Sequence, residues 1–232
     1  MSTAASCPIV ALPPDKDLRS PKFQPNTVYS IPFTNPDHQL NEICSKLKKQ
    51  GFEIEGSSIE AYLTNATGKI HVQRRAGPDN MSRPYVIEAA GGATEQCDKT
   101  LHLAALRELL EEAGILILGA TPLEKGYVHF WEHTERHTRK KKWLIKVAFV
   151  YFISNDDDWL FTSRVWDSES KSPMGKLPIL LDEKEVSDAF SISQLQMEEM
   201  IIWDPEQRKT TKDRQSLVTQ RETYAILEDI FG

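Results

Sequence analysis

The sequence predicts an α/β or α+β protein, in which helices lie on both faces of a mixed β sheet. Segments rich in β-branched and aromatic residues alternate along the chain with segments whose apolar residues recur at helical spacing. The chain has 232 residues, 40% of them hydrophobic, which is enough to bury a core. No apolar run approaches the roughly 18 residues that a membrane span needs, so we do not expect a membrane protein.

The first 26 residues differ in composition from the rest of the chain. They contain five prolines and little periodicity, which predicts an N-terminal strap or flexible tail at residues 1–26 and a single domain over residues 27–232. Further on, Asn65 and Gly68 lie in a turn between two apolar runs and predict a hairpin. The expected elements in this half are strands at residues 27–33, 57–63, 69–73 and 85–87, and a helix that Asn35 opens and Gly51 ends.

The second half of the chain predicts a long helix, a second hairpin and a terminal helix. The long helix covers residues 99–113, with Thr100 or Asp98 as its N-cap and Gly114 as its C-cap. Residues 154–178 have the composition of an exposed insertion. The other expected elements are paired strands at 126–132 and 143–153, a short strand at 179–181, a helix at 194–200 capped by Ser191, and a last helix at 216–231.

Charge and cysteine content narrow the classes of function. The chain has 28 Lys and Arg residues against 34 Asp and Glu, and the net charge of −6 disfavours binding to nucleic acid. Cys7, Cys44 and Cys97 cannot all pair, and their spacing matches no metal-binding motif. Unpaired cysteines are typical of a reducing compartment, so we expect a cytoplasmic protein.

The residues that could bind a metal or act in catalysis lie mainly in the long helix and in the glycine-containing segment before it. Glu108, Glu111 and Glu112 have the spacing i, i+3 and i+4, which places them on one face of the helix. Like charges at these spacings destabilise a helix by about 0.2–0.5 kcal/mol per pair. A hard divalent cation, Mg²⁺ or Mn²⁺, would offset this repulsion by binding the carboxylate oxygens. The spacing therefore predicts a metal site.

The residues around these glutamates fit such a site. Arg107 can hold a carboxylate oxygen in a fixed orientation. Gly91 and Gly92 permit close backbone approach or a positive φ, as in a loop that surrounds phosphate and metal. Glu88, just upstream, is a further candidate ligand or substrate contact. On the opposite side of the helix we expect a buried apolar stripe formed by Leu103, Leu106, Leu110 and Ala113.

Residues 91–115 read GGATEQCDKTLHLAALRELLEEAGI and resemble the signature of the Nudix hydrolases, G-x5-E-x7-R-E-U-x-E-E-x-G-U, where U is a bulky aliphatic residue. The second half of the signature matches without a gap, from Arg107 to Ile115. The first half departs from it, since Asp98 replaces the first glutamate in a loop one residue longer. Counting back from Arg107 places Lys99 there instead, and a protonated lysine cannot bind a metal.

The resemblance implies a Nudix-type α/β/α sandwich around a mixed β sheet, with an N-terminal extension and an extra C-terminal helix. It also implies a hydrolase that uses Mg²⁺ or Mn²⁺ and cleaves a diphosphate linkage by attack of water on phosphorus. In such a site Glu108 and Glu112 would be the principal metal ligands, Glu111 would assist them, and Asp98 would be a further ligand.

The catalytic groups that the resemblance implies are Arg107 and a carboxylate that removes a proton from water. Members of the family differ in which carboxylate acts as this base. Here Glu112 or Glu111 is the first choice, and Glu132 or Glu135, in the loop after the next strand, is the second.

The organic group of the substrate stays open at this stage. Nucleotide sugars, dinucleoside polyphosphates, damaged nucleoside triphosphates, coenzyme A and prenyl diphosphates all fit the reaction, because specificity resides in loops. Trp131 is a candidate for stacking on a base or ring. The other expected substrate contacts are Arg74, Arg75, Gly91, Gly92 and Glu132.

A second hypothesis keeps the fold without hydrolysis, as a small-metabolite isomerase or cyclase or a ligand-binding module. The departure at Asp98 and Lys99 motivates it, whereas the three neighbouring glutamates argue against it. The partner we expect is a small-molecule diphosphate, with neither nucleic acid nor membrane. A homodimer is an open alternative to a monomer.

Overall fold

The computed structural model describes residues 7–12, 22–76, 85–115, 117, 122–134, 140–153, 186–203 and 217–232. Within these ranges the chain forms ten strands and four helices. The strands are β1 Ile9–Ala11, β2 Val28–Pro32, β3 Ile54–Asn65, β4 Ile70–Arg75, β5 Ile87–Glu88, β6 Pro122–Thr134, β7 Lys141–Ile153, β8 Val186–Ile192, β9 Ile201–Ile202 and β10 Val218–Thr219. The helices are α1 Pro36–Lys49, α2 Leu101–Ala113, α3 Gln194–Glu198 and α4 Arg221–Phe231.

The strands join into one mixed sheet in the order β1-β2-β6-β7-β3-β4-β5-β10-β9, and β8 pairs with β4. Both predicted hairpins are confirmed, because β3 pairs antiparallel with β4 and β6 pairs antiparallel with β7. In the first turn the Asn65 side-chain oxygen accepts hydrogen bonds from the Thr67 and Lys69 N–H groups, and Gly68 has a φ of +70°. None of the helices in the described ranges is long and apolar enough to cross a bilayer.

Two apolar cores lie on opposite faces of the sheet. Successive residues of β3 show this, since Ile59 and Ala61 belong to the first core and Tyr62 to the second. Helices α1 and α2 cover the first core, for example with Leu47 of α1. Helices α3 and α4 cover the second, for example with Met197 of α3. The predicted α/β class, with helices on both faces of a mixed sheet, is therefore confirmed.

Part of the N-terminal segment belongs to the sheet. Strand β1 pairs in parallel with β2 at the edge of the sheet, and Phe23 is buried in the first core. A three-residue strand among prolines carries no periodicity, so the sequence did not predict it. The division into residues 1–26 and 27–232 stays a prediction.

Two predicted boundaries near the C-terminus are wrong. Ser191 lies in β8, and the N-cap of α3 is Ser193, whose hydroxyl accepts the Gln196 N–H in a capping box. The last helix begins at Arg221 because the residues just before it form β10, which pairs with β5 and β9. The predicted insertion at 154–178 and the predicted strand at 179–181 lie outside the described residues.

Helix α2 ends at Ala113 as predicted and begins at Leu101, two residues after the predicted start at residue 99, but its buried face is not the predicted one. Thr100 is its N-cap, and Gly114 ends it in the left-handed conformation with a φ of 60°. Leu103 and Leu110 are 45% and 47% exposed, which contradicts the expected stripe. Small alanines let a helix approach a sheet closely, so the alanine face packs inward and brings two carboxylates with it. The residues of α2 that are buried are Leu101, Ala104, Ala105, Glu108, Leu109, Glu112 and Ala113.

This orientation of α2 predicts opposite effects for two adjacent leucines. Leu109 is fully buried in the first core, whereas Leu110 faces outward. Leu109→Ala is expected to lower the free energy of unfolding by about 2–5 kcal/mol. Leu110→Ala should change it by less than about 0.5 kcal/mol. Urea unfolding of both variants measures the difference, and similar losses in the two would contradict this orientation of the helix.

Candidate metal centre

The glycine-containing loop between β5 and α2 runs alongside β3. The Ile59 N–H donates to the Gly92 carbonyl at 2.9 Å, and the Ala61 N–H donates to the Ala90 carbonyl at 2.8 Å. A Cβ on Gly91 would lie 2.1 Å from the Ile59 carbonyl oxygen. Neither Gly91 nor Gly92 has a positive φ, so close approach of the backbone is what requires glycine at position 91.

Glu112 projects from α2 onto this loop. Its side chain is buried, and one oxygen, Oε2, accepts hydrogen bonds from the Gly91 N–H at 2.7 Å and from Gln73 Nε2 at 2.6 Å. Burial raises the pKa of Glu112 to about 8; the two hydrogen bonds lower it, and the nearby carboxylates Glu88 and Glu108 raise it. Glu88 of β5 and Glu108 and Glu112 of α2, all buried, thus interact electrostatically and form a carboxylate cluster.

The other two carboxylates are each held by an arginine. The Glu108 carboxylate fills the space beside Gly92, where a Cβ would lie 2.6 Å from Glu108 Oε2. Arg107 Nη1 donates to Glu108 Oε1 at 2.7 Å. Glu88 accepts a hydrogen bond from Arg75 Nη1, also at 2.7 Å. Burial raises the pKa of Glu88, although Arg75 acts in the opposite direction.

The donor set of this cluster fits a hard divalent cation. Carboxylate oxygens are the ligands that Mg²⁺ and Mn²⁺ prefer, and buried like charges are unfavourable without a cation. Gln73 adds a neutral oxygen, Oε1, which is buried and has no hydrogen-bond partner among the described residues. No three His, Cys, Asp or Glu side chains in these ranges are already grouped to coordinate one ion. Arg107 holds the Glu108 carboxylate, and Gly91 and Gln73 hold that of Glu112.

Arg107 joins α2 to the loop that precedes it. Its Nε and Nη2 atoms donate to the two oxygens of Asp98 at 3.1 and 2.9 Å, and Nη2 also donates to the Ala93 carbonyl at 3.0 Å. Its Nη1 atom donates to Glu111 at 2.8 Å as well as to Glu108. The hydrogen bonds from Arg107 hold the pKa of Asp98 below its ordinary value. Asp98 thus pairs with Arg107 through both oxygens, and its role as a metal ligand stays a proposal.

The remaining predicted residues are more dispersed. Glu111 has a side chain 56% exposed and contacts Arg107. Arg75 lies in the cluster beside Glu88, whereas Arg74 is buried and its guanidinium lies 5.5 Å from the centre of the Phe190 ring. Glu132 lies near the end of β6, 2.9 Å from Lys141, and lines a separate cavity. Glu135 lies outside the described residues.

Sequence reasoning missed Gln73 and the ion pair of Glu60 with Lys146. Gln73 holds Glu112, and Glu60 lies directly behind Gly91, where a Cβ would be 2.9 Å from the Glu60 Cα. Lys146 interrupts an apolar run in β7, Glu60 lies between Ile59 and Ala61 in β3, and Gln73 follows Val72 in β4. A polar side chain inside a buried strand needs a partner, and that is the signal that could have drawn attention to them.

The two adjacent glycines are expected to respond differently to an added methyl group. Gly91→Ala should lower the free energy of unfolding by about 1–3 kcal/mol, because the new Cβ meets rigid backbone. Gly92→Ala should have an unfolding free energy near that of wild type. It should bind Mn²⁺ at least about 10-fold more weakly, because the methyl group displaces the Glu108 carboxylate. Urea unfolding and Mn²⁺ titration measure the two effects. Unchanged Mn²⁺ affinity in Gly92→Ala would contradict the prediction that Glu108 is a metal ligand.

A model of the NUDIX domain family matches residues 56–213, more than half of the chain, and the chain therefore belongs to the NUDIX domain family. The match includes residues 91–115 and confirms the resemblance drawn from them. No curated protein sequence gives a match.

Several solved structures are similar to this chain. The NUDIX domain of Shewanella oneidensis NrtR, in complex with ADP ribose, has 16% identity and a TM-score of 0.39. The match covers 63% of this chain and 77% of the NrtR chain. The MutT protein from Methanosarcina mazei Go1 has 17% identity and a TM-score of 0.40, and the match covers 68% of this chain and 90% of that protein's chain. A C. elegans Ap4A hydrolase has 14% identity and a TM-score of 0.41, and the match covers 76% of this chain and 96% of that protein's chain. None of these proteins is close enough in sequence to assign a substrate to this chain.

Proposed function

We propose that this protein is a metal-dependent hydrolase that cleaves a diphosphate linkage by attack of water on phosphorus. The observation that carries the proposal is the cluster of buried carboxylates, Glu88, Glu108 and Glu112, packed against a glycine loop. Arg75 and Arg107 neutralise Glu88 and Glu108, whereas the charged form of Glu112 is unfavourable in this buried position unless a further cation binds. Membership of the NUDIX domain family supports the same reaction.

The residues that would hold Mg²⁺ or Mn²⁺ are Glu108 and Glu112, with Glu88 and Glu111 as the adjacent carboxylates. When bound, such an ion neutralises diphosphate charge and lowers the pKa of a bound water molecule. Arg107 limits where two of these carboxylates can move, because one of its nitrogens contacts both Glu108 and Glu111. Asp98 in turn fixes the guanidinium of Arg107 through two hydrogen bonds.

Glu112 is the residue that we propose as general base. Both of its hydrogen bonds, from Gly91 and Gln73, go to Oε2. That arrangement orients the carboxylate and leaves Oε1 as the oxygen that accepts a proton from water. Glu111 is the alternative base on the same helix, and Glu132 is the more distant one.

The substrate phosphates need cations, and the two candidate arginines differ in access. Arg75 is 29% exposed in its side chain and lies beside Glu88, at the cluster. Arg74 is buried and stacks near Phe190. We therefore propose Arg75 as the phosphate contact, together with the backbone at Gly91 and Gly92.

The sequence departure at Asp98 does not favour the non-hydrolytic alternative. Asp98 still pairs with Arg107 through both oxygens, so the shorter side chain preserves this contact in the longer loop. We also propose a cytoplasmic location and no nucleic-acid partner. The three free cysteines, Cys7, Cys44 and Cys97, and the net charge of −6 support these two statements.

Product analysis over a panel of diphosphates tests the proposed reaction. The panel contains ADP-ribose, diadenosine tetraphosphate, a uridine diphosphate sugar, coenzyme A and a prenyl diphosphate, each with Mg²⁺, with Mn²⁺ and with EDTA. In ¹⁸O-labelled water, phosphorus NMR of the products shows which phosphorus water attacks. Turnover that needs the metal is the expected result. Undiminished turnover in EDTA, or no turnover of any compound by folded protein, would contradict the proposal.

A further inference from the structure

We propose that Thr219, in β10, is a positioning residue for the metal centre. Its hydroxyl holds β5, the strand that carries Glu88 and leads into the glycine loop. This inference rests on the proposed function and adds a residue that supports its site. Thr219 lies beyond residue 213, where the match to the NUDIX domain model ends. The C-terminal segment that contains β10 and α4 therefore contributes to the metal centre as well as to the fold.

Thr219 contacts β5 through its side chain and through its place in the sheet. Its hydroxyl donates a hydrogen bond to the Ile87 carbonyl at 2.8 Å, and β10 pairs in parallel with β5 at these two residues. Thr219 and Ile87 are both fully buried. Away from water a hydrogen bond is stronger and has no solvent competitor, so this one fixes the position of the Ile87 carbonyl.

Strand β5 needs this support because it is very short. It has two residues, Ile87 and Glu88, and β4 holds one of its edges, where the Arg75 N–H donates to the Val86 carbonyl at 3.0 Å. Successive carbonyls of a strand point to opposite sides, so the Ile87 carbonyl points away from β4 and towards β10. Thr219 therefore supports the edge of β5 that β4 does not reach.

Strand β10 is itself firmly held. The Thr219 carbonyl accepts a hydrogen bond from the Trp203 N–H at 2.7 Å, and the Leu217 carbonyl accepts one from the Ile201 N–H, also at 2.7 Å. Helix α4 follows β10 directly and is anchored by Ile226, which is fully buried in the second core. Because the backbone of Thr219 is already fixed, its side chain loses little further conformational freedom when it bonds to β5.

The position of β5 affects the carboxylate cluster directly. Glu88, which follows Ile87 in the chain, is buried in the cluster. Three residues further on, the Gly91 N–H donates to the Glu112 carboxylate at 2.7 Å. A shift of β5 would therefore move one carboxylate and displace the hydrogen-bond donor of another. Loss of the Thr219 hydrogen bond is expected to loosen the glycine loop and to weaken metal binding.

Amide hydrogen exchange, followed by NMR in EDTA, tests this support without metal or substrate. Thr219→Val removes the hydroxyl but keeps a β-branched side chain, and the Gly91 amide should then exchange at least about 5-fold faster. Thr219→Ser keeps the hydroxyl and should exchange as wild type. The Leu12 amide, which bonds to the Ser30 carbonyl at the far side of the sheet, is the internal reference and should not change. Unchanged Gly91 exchange in Thr219→Val would overturn the inference.

Mn²⁺ titration of the same variants tests the link from β10 to the metal centre. Thr219→Val should bind Mn²⁺ at least about 5-fold more weakly, because groups that orient metal ligands contribute to metal affinity. Thr219→Ser should bind as wild type. The matched control is Thr27→Val, which removes a buried hydroxyl that bonds to Tyr29 beside β2, with four other strands between it and β5. Equal Mn²⁺ affinity in Thr219→Val and wild type would overturn the inference.

The outcomes separate this inference from the proposed function. Metal-dependent hydrolysis, with Thr219→Val equal to wild type in both measurements, would leave the reaction standing and overturn the role of Thr219. Faster Gly91 exchange and weaker Mn²⁺ binding in Thr219→Val, both restored in Thr219→Ser, would support that role even if no diphosphate is hydrolysed, and only the reaction would then be contradicted. If Thr219→Val does not fold, Thr219→Ser decides, because faster Gly91 exchange or weaker Mn²⁺ binding in a variant that keeps the hydroxyl would overturn the inference.

Discussion

Glu112→Gln is expected to lower kcat by about 10²–10⁴-fold while the protein stays folded. The Gly91 N–H and Gln73 Nε2 both donate to one Glu112 oxygen, Oε2, so the amide oxygen of glutamine can accept both bonds. What the substitution removes is the negative charge that binds the metal and the oxygen that accepts a proton. Steady-state kinetics with saturating Mg²⁺ measures the loss. A kcat within a few-fold of wild type would contradict the role of Glu112.

The same variant should change how stability depends on pH. Burial raises the pKa of Glu112 from 4.5 to about 8 in the metal-free folded protein. The pKa of Glu112 is thus higher in the folded than in the unfolded protein. Its contribution to the unfolding free energy is fully present below about pH 4.5 and is lost as the pH rises through about 8. Metal-free wild type should therefore lose more unfolding free energy between pH 5 and 8 than Glu112→Gln does.

Urea unfolding in EDTA at pH 5, 6.5 and 8 measures this difference. The matched control is Glu111→Gln on the same helix, whose side chain is mostly exposed and which should follow the wild-type pH dependence. Two results would contradict this explanation of the pH dependence: an unfolding free energy of Glu112→Gln below that of wild type at every pH, or the same change of unfolding free energy with pH in both proteins.

Arg107→Ala is expected to destabilise the protein by about 3 kcal/mol, because it leaves two largely buried carboxylates, Asp98 and Glu108, without their cation. It should also weaken Mn²⁺ binding and turnover by about 10–100-fold, because Glu108 and Glu111 lose the group that orients them. Arg107→Lys keeps the charge but not the planar fork that reaches both Asp98 oxygens, so its effects should be intermediate.

Chemical unfolding and Mn²⁺ titration of the two variants test this role. A suitable control is Lys48→Ala, which breaks an exposed pair with Glu53 of 3.9 Å and should change the unfolding free energy by less than about 0.5 kcal/mol. Arg107→Lys that matches wild type in both measurements would show that charge alone, without the fork, is sufficient.

The parts of the metal centre that the sequence could predict are local. Thr100 and Gly114 act through neighbours in the chain, so residue type indicated Gly114 as the C-cap of α2 and Thr100 as one of two N-cap candidates. Helical spacing put Glu108 and Glu112 on one face, and both are buried there. The two hairpins were equally local, since each depends on a turn between adjacent strands.

The parts that escaped prediction depend on contacts between distant segments. Gln73 meets Glu112 across 39 positions of sequence, and Glu60 meets Lys146 across 86. Nothing in one segment specifies such a partner. The prediction of the buried face of α2 was also wrong, and the reason is a tertiary contact. Hydrophobicity predicted that Leu103 and Leu110 are buried, whereas close packing on the sheet buries the alanine face.

Binding of Mn²⁺ to the metal-free protein, followed by the EPR signal of the free ion, tests the metal centre most directly. Wild type should bind Mn²⁺, and Glu108→Gln and Glu112→Gln should each weaken the affinity about 10-fold or more while remaining folded. Glu42→Gln, at an exposed position of α1, should bind as wild type. No binding by wild type at millimolar Mn²⁺, or equal affinity in all four proteins, would contradict a metal site in the carboxylate cluster.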